Sequence, residues 1–126
     1  MELITKQIME TIPPLYSQEL VGEGAHVAVK FFSIISDWRW YATEASPIVL
    51  VDGNEVQCES YATAQAQGLE IVDWMFFGLV DGMERELGYF TLRQLESVKG
   101  PGGIAGIERD MYFEENQTLE SVRGTA

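Results

Sequence analysis

Two carboxylates near the end of the chain, Glu108 and Asp110, have a spacing that could hold a metal ion. They lie in GIERDMYFE, whose alternating pattern predicts a strand, so both side chains share one face about 6.5–7 Å apart. With help from Asp81, Glu84 or Glu86, such a pair could bind Mg²⁺ or Ca²⁺. A solvated strand face is the simpler interpretation, because GPGG precedes a strand and does not open a helix as a phosphate loop does. We predict no metal and no cofactor, with a metal-assisted hydrolase using Glu108 and Asp110 as the alternative.

Nucleophilic catalysis would have to use Cys58 and His26, which are the single cysteine and the single histidine of the chain. A Cys–His dyad needs the fold to bring the two together, whereas a free cysteine is more often a small buried hydrophobe. One cysteine and one histidine exclude an internal disulfide and an ordinary zinc site. The sequence therefore predicts no catalytic residue and favours a protein that is not an enzyme.

The charge of the chain is strongly acidic. Twenty Asp and Glu residues stand against eight Lys and Arg residues, giving a formal charge of −12, and no base occurs between Arg39 and Arg85. Such a field repels nucleic acid and anionic membranes and attracts basic proteins. We therefore predict a protein partner with a basic surface, and neither direct nucleic-acid binding nor membrane binding. The predicted partner-binding residues are Asp52, Glu55, Glu59, Glu70 and Asp73.

The sequence contains no pattern typical of a signal peptide or of a membrane-spanning helix. The first ten residues, MELITKQIME, contain acids and no long apolar run, so they do not resemble a signal peptide. No stretch approaches 18 uncharged apolar residues. We expect a cytoplasmic protein.

The order of helix and strand patterns along the chain predicts an α+β fold, with residues 1–126 as a single domain. Thr5 is a candidate N-cap for a first helix that ends at Pro13. HVAVKFFSII and WRWYATE form a first hairpin, and PIVLVDGNEVQCE forms a second one around Asp52 and Gly53. SYATAQAQG is either a short helix capped by Ser60 or an irregular crossing. We expect a mainly antiparallel sheet of about five strands with two or three short helices.

The second half of the chain repeats a strand followed by a helix. A third hairpin runs from Trp74 to Phe90, where Gly78 indicates a bulge or a close backbone approach. TLRQLESVKG begins with a capping box at Thr91, and Lys99 and Gly100 suggest its end. LESVKG is nearly repeated as LESVRG near the C-terminus, which we interpret as two uses of the same helix-ending pattern. Arg109 is on the apolar side of the last strand by pattern, so we expect it to pair with Glu44 or Glu86.

A large set of aromatic residues is available for the core: Trp38, Trp40, Tyr41, Trp74, Phe76 and Phe77. If they share one face of the sheet, they form its hydrophobic centre. Any that remain on the surface would be interaction anchors, because Trp and Tyr are typical hot spots. An aromatic pocket for a small ligand is therefore a further alternative function.

Several stretches together resemble the family called domain of unknown function 2958, small proteins of bacteria, phages and plasmids. They are PPLYSQE, VKFF, WRWYATE, FFGLVDG, ERELGYFTLRQLESVKGP and IERDMYFE. The resemblance implies the fold and a setting among mobile elements, and it carries no established activity and no catalytic residues. The chain differs from the family pattern between about residues 46 and 73, which we expect to be a surface elaboration.

These observations lead to one functional hypothesis. We expect a non-enzymatic, acidic accessory protein of a mobile element that binds a basic host or element-encoded protein. It would act as a nucleic-acid mimic, or as an inhibitor of a defence factor, by covering a basic surface. Carboxylates on alternate residues of a strand recur about every 6.7 Å, close to two nucleotide steps along one DNA strand, which makes such mimicry physically feasible.

Overall fold

A computed structural model describes residues 1–124 and shows an α+β fold. The strands are β1 Val29–Ser33, β2 Arg39–Val51, β3 Asn54–Gln57, β4 Ile71–Asp81, β5 Arg85–Thr91 and β6 Ile107–Arg109. They form one antiparallel sheet of six strands in the order β5-β4-β2-β1-β6, with β3 also paired to β2. The helices are α1 Lys6–Thr11, α2 Tyr61–Ala66, α3 Leu92–Ser97 and α4 Leu119–Arg123. None of the described helices has the length and apolarity needed to span a membrane.

Each α-helix begins at a Ser or Thr whose side chain accepts a hydrogen bond from a backbone N–H of the first turn. These N-caps are Thr5, Ser60, Thr91 and Thr118. In α3 the side chain of Gln94 reciprocates by accepting from the N–H of Thr91, which completes the predicted capping box. The helix starts were therefore predictable from local sequence, because a cap needs only residues three positions apart.

The centre of the sheet is one long strand, β2, and not two separate arms as the sequence suggested. It pairs with β1 along its first half, with β3 along its second half and with β4 along nearly its whole length. A register shift between Ala42 and Glu44 places an extra residue, Thr43, opposite β4. Across from it, a Cβ on Gly78 would lie 1.8 Å from the carbonyl oxygen of Tyr41, so the predicted close approach is confirmed.

The sheet is covered on both faces, which gives two hydrophobic cores. The first face carries Phe31, Trp74 and Phe76, packed with Ile4 and Ile12 next to α1 and with Leu95 of α3. The second face carries Val27, Tyr41 and Leu79, packed with Leu119 and Val122 of α4. The first LESV sequence thus lies at the end of α3 and the second at the start of α4, and the two bury their leucines on opposite faces of the same sheet.

Two expectations about chain ends of elements are wrong. Helix α3 ends at Ser97, before Lys99 and Gly100, because the chain turns extended at Val98 and the carbonyl of Val98 accepts from the N–H of Gly106. Lys99 instead forms a bridge with Ala105. The last strand is also shorter than expected. It ends at Arg109. The side chain of Arg109 donates to the carbonyl of Glu2, so the expected pairing with Glu44 or Glu86 is wrong.

Candidate binding site

Four of the five predicted partner-binding acids are exposed. Asp52 lies in the turn between β2 and β3, where its φ is +51°, and Glu55 follows on β3. Glu55 is paired with Leu50 of β2 in the sheet. The N–H of Leu50 donates to the carbonyl of Glu70, so Glu55 and Glu70 lie on either side of Leu50. Glu59 is exposed just before α2. We call this set, Asp52, Glu55, Glu59 and Glu70, the acidic hairpin surface.

The fifth predicted acid, Asp73, does not belong to that surface. Its residue is only 6% exposed, and its carboxylate accepts hydrogen bonds from the N–H groups of Trp74 and Arg93 at 2.8 and 2.9 Å. Asp73 therefore fixes the start of α3 against β4. We remove it from the predicted contact residues, because a side chain engaged in this way is not presented to a partner.

The segment from 46 to 73 is also less peripheral than a surface elaboration. Ser46 and Val49 are buried, and residues 46–51 continue the central strand β2. The exposed part is the β2–β3 turn with Asp52 and strand β3 with Glu55. A base of α3 contacts this hairpin: Arg93 pairs with Glu55 at 3.2 Å, and both side chains are about half exposed.

The alternative metal pair, Glu108 and Asp110, is not arranged as the sequence predicted. Asp110 lies beyond the end of β6, where its carboxylate accepts from the N–H of Tyr112 and turns the chain. The same carboxylate is 3.4 Å from the ammonium group of Lys30. Within residues 1–124 no group of three or more His, Cys, Asp or Glu side chains could hold a metal ion. The geometry therefore gives the hydrolase alternative no support.

Cys58 and His26 lie in different surroundings. Cys58 is buried and packs with Val49 and Ala64, and its Sγ lies 3.6 Å from the carbonyl of Ser60. His26 is exposed and forms a bridge with Thr118. Each residue has a structural position of its own, and this arrangement does not build a Cys–His dyad.

A cavity that the sequence did not reveal lies on the second face of the sheet. Its volume is about 290 Å³, and we call it the Glu44 cavity. One wall is the segment Gln18–Gly24, the floor is formed by β2 and β4, and the other walls come from β5 and α4. The lining residues are Gln18, Glu19, Gly22, Glu23, Ala25, Thr43, Glu44, Phe77, Leu87, Tyr89 and Leu119.

Glu44 is a buried carboxylate in the middle of β2. Its residue is 3% exposed, and its two oxygens accept from the N–H groups of Tyr16 and Gln18 at 2.9 and 2.7 Å. Tyr16 has a φ of +73°, a conformation that non-glycine residues rarely adopt. Glu44 therefore holds the chain in the turn that leads into the wall of the cavity, while each oxygen keeps a further lone pair.

Tyr89 stands at the side of the cavity with about half of its surface exposed. Partial burial is the main cause that raises the pKa of Tyr89 above its ordinary value of 10.0, followed by the proximity of Tyr16, Glu44 and Glu19. Ionised Tyr89 would add a negative charge to a region that already holds carboxylates. The nearby carboxylates thus act in the same direction as burial and favour the protonated phenol.

The rim of the cavity contains unusually exposed apolar residues. Leu87 of β5 lines the cavity and is 42% exposed. Leu20 and Val21, which follow the lining residue Glu19 in sequence, are fully and half exposed. Of the aromatic residues considered for the core, Trp40, Trp74 and Phe76 are buried on the first face, whereas Phe77 lines the cavity. The cavity thus combines aromatic walls, an apolar rim and acidic groups.

Sequence reasoning missed this site because five separated parts of the chain build it. The one local signal was Glu44, an acid that follows the apolar run of WRWYATE. A charged residue in a buried strand requires compensating partners. That signal indicated a structural or functional role, but the sequence offered Arg109 as the partner where the fold uses two backbone N–H groups.

Comparison with known proteins gives one match. The family model described as "Protein of unknown function (DUF2958)" matches residues 59–126, which is more than half of the chain. Neither the curated proteins nor the solved structures contain a match. The matched region runs from the start of α2 through α4 and so includes β4, β5 and β6. On this evidence the chain belongs to the DUF2958 family.

Proposed function

We propose that this protein is a non-enzymatic, acidic accessory protein that binds a basic protein partner. We place it in the cytoplasm and in the setting of a mobile element, where its partner is a host or element-encoded protein. The observation that carries the proposal is the acidic hairpin surface. Its four acids are exposed on and around one projecting hairpin, in a stretch of chain without bases between Arg39 and Arg85.

The physical argument is one of unbalanced charge. Arg93 neutralises Glu55, which leaves Asp52, Glu59 and Glu70 to project a negative field. Exposed charges act over about 8 Å at physiological ionic strength and steer oppositely charged proteins toward each other. The net charge of −12 adds a longer-range attraction between the whole protein and a basic partner.

The mode of action that this geometry supports is occlusion of a basic surface. Strand β3 carries one carboxylate, Glu55, so it does not present acids on alternate residues. A regular ladder of carboxylates spaced like phosphates is therefore not formed on β3. We propose that the projecting turn covers a basic patch of a nucleic-acid-binding protein, such as a defence factor, without copying the nucleic-acid backbone.

A second candidate function is favoured by one specific observation. The Glu44 cavity has aromatic and apolar walls with a few polar groups, which is the usual composition of a small-ligand site. Its volume of about 290 Å³ is at the lower end of the range for such sites, about 300–1,000 Å³. A small-ligand binding module therefore remains the second candidate.

The test of the proposed function is affinity capture from the native host followed by association kinetics with the captured protein. The variant carries Asp52→Asn, Glu59→Gln and Glu70→Gln. A matched control carries Glu2→Gln, Glu10→Gln and Glu96→Gln, three exposed acids outside the hairpin, so both variants lose the same charge. We expect the hairpin variant to associate roughly tenfold more slowly at low salt and with a weaker salt dependence. Equal rates for the two variants would remove the hairpin from the functional surface.

A further inference from the structure

We propose that the Glu44 cavity receives a single lysine or arginine side chain of the basic partner. This inference rests on the proposed function and identifies how the partner would be recognised. It places the contact on the second face of the sheet, where Tyr89, Glu44 and the Gln18–Gly24 segment meet.

The first argument is charge complementarity. The ionisable groups that line the cavity are the carboxylates Glu19, Glu23 and Glu44 and the phenol of Tyr89, and no lysine, arginine or histidine is among the lining residues. Arg123 pairs with Glu23 from outside the lining set. Each oxygen of Glu44 accepts one backbone N–H and retains acceptor capacity. Because Glu23 already has Arg123 as its ion-pair partner, a cation that enters the cavity would be attracted mainly by Glu19 and Glu44.

The second argument is the apolar character of the walls. Ala25, Phe77, Leu87 and Leu119 surround the path to Glu44, so a bare inorganic cation would lose its hydration without gaining a coordination shell. Lysine and arginine carry a charged head on an aliphatic stem, and such stems pack along apolar surfaces. The ring of Tyr89 offers a further contact, because cations are attracted to aromatic faces.

The third argument concerns the source of the cation. The lining residues Leu87 and Tyr89 are 42% and 53% exposed, and Leu20 and Val21, next in sequence to the lining residue Glu19, are exposed as well. A free small molecule would leave this apolar rim in water. A protein surface that delivers one side chain into the cavity would cover the rim, as the ring of residues around an interface hot spot does. We therefore assign the cavity to a side chain of a protein.

The experiment uses four probes and residue-resolved NMR titration of the whole protein. Two are butylguanidinium and its neutral isostere butylurea. The others are a capped pentapeptide with one central arginine between apolar residues, and the same peptide with citrulline. We expect butylguanidinium to shift the amides of Thr43, Glu44 and Leu87 at millimolar concentration and butylurea to bind at least tenfold more weakly. The arginine peptide should bind at least tenfold tighter than butylguanidinium, and the citrulline peptide should lose that gain.

The matched variants keep Glu44 in place, because it also supports the fold. Glu19→Gln with Glu23→Gln removes two charges at the cavity, and Glu114→Gln with Glu115→Gln removes two exposed charges elsewhere. We expect at least a threefold loss of arginine-peptide affinity for the first pair and no change beyond general screening for the second. Amide spectra and thermal unfolding of both variants establish that the fold is intact.

Three outcomes would overturn the inference. Equal binding of the charged and neutral probes, or an equal loss in both variant pairs, would show that the cavity does not select a cation. An arginine peptide that binds no tighter than butylguanidinium would show that the rim contributes nothing, and would favour a free small ligand. Because these probes need no natural partner, failure here leaves the hairpin kinetics as an independent test of the proposed function. Conversely, cavity binding with unchanged hairpin kinetics would contradict only the acidic hairpin surface.

Discussion

Glu44 shows how one buried side chain can organise a large part of the surface. Its carboxylate joins β2 to the N–H groups of Tyr16 and Gln18, and the wall of the cavity begins there. We expect Glu44→Ala to lower the free energy of unfolding by about 3 kcal/mol, because two donors lose a charged acceptor. Glu44→Gln retains one oxygen and should cost about 1–2 kcal/mol. Urea denaturation measures both, and Glu10→Ala, an exposed acid, is the control that should remain near wild type.

Tyr89 predicts a specific pH dependence of stability. Its pKa is raised above 10.0 in the folded protein, chiefly by partial burial. Below pH 10 the phenol is protonated in the folded and the unfolded protein, and its contribution to the free energy of unfolding is fully present. Above pH 10 the phenol ionises first in the unfolded chain, so the free energy of unfolding falls. We expect Tyr89→Phe to make the decline of stability at alkaline pH less steep. Urea midpoints measured between about pH 8 and pH 11 test this, and an unchanged slope would contradict the assigned shift.

At the residue scale, the sequence predicted capping residues well and long-range partners poorly. Thr5, Ser60 and Thr91 act on residues three positions away, so local pattern was sufficient to propose them. The partner of Glu44 is 26–28 residues distant in sequence, and it is backbone rather than a side chain. No residue type marks a backbone N–H as a partner, so the interaction could not be predicted from composition or spacing.

At the scale of elements, the close approach of β4 to β2 depends on a glycine. Gly78 and Gly88 are cross-strand neighbours, but a Cβ on Gly78 would overlap the Tyr41 carbonyl, whereas a Cβ on Gly88 would have no neighbour within 4 Å. We expect Gly78→Ala to destabilise the protein by about 3 kcal/mol. Gly88→Ala should stabilise it by about 0.5 kcal/mol, because the unfolded chain loses freedom. Thermal unfolding of the two variants compares the same substitution on adjacent strands, and equal effects would contradict the packing described.

The start of α3 provides the second prediction at this scale. Thr91→Ala removes the side chain that accepts from the N–H of Gln94, so we expect a loss of about 1 kcal/mol in the free energy of unfolding. Thr11→Ala is a matched control, because its exposed hydroxyl donates to a helix carbonyl and caps no helix start. Its effect should stay within about 0.5 kcal/mol. A midpoint in urea that does not move for Thr91→Ala would mean that the cap contributes nothing.

The elements themselves were predictable where a local rule decides them. The sequence suggested two arms where β2 is continuous, because Pro47 looks like an interruption of a strand. The strand continues because Pro47 still accepts from the N–H of Cys58 through its carbonyl. Helix α3 ends earlier than expected because the N–H of Gly106 donates to the carbonyl of Val98, which replaces the helical turn that Lys99 and Gly100 suggested. In both cases a tertiary hydrogen bond overrode the local pattern.

At the scale of the whole molecule, the net charge of −12 should oppose folding by self-repulsion. Two acids lie close together at the start of β5, where a side-chain hydrogen bond with Glu84 and then the like charge of Glu84 raise the pKa of Glu86. We expect the free energy of unfolding at pH 7 to rise as salt increases from about 10 mM to about 300 mM, since the repulsion is screened. The Glu2, Glu10 and Glu96 variant should depend less on salt than wild type. Stability that falls with salt would indicate that surface ion pairs dominate instead.

The fold class and the antiparallel arrangement followed from the hairpin signals, but the cavity did not. Three hairpins could be recognised because each is contiguous in sequence. The cavity joins Gln18, Glu44, Tyr89 and Leu119, whose proximity depends on how the hairpins and α4 assemble. A site assembled in this way follows from topology, and no spacing within the chain encodes it.

The long strand β2 has a consequence for where this protein can be divided. The family match covers residues 59–126, and β2 lies before it, although β2 is the direct neighbour of β4 along the centre of the sheet. Excised alone, the matched part would present an open edge of eleven residues, with Trp74, Phe76 and Leu79 deprived of their cover. Such an edge favours aggregation. The strand that covers β4 thus comes from outside the stretch that identifies the family, and we expect residues 59–126 to aggregate when they are expressed without residues 1–58.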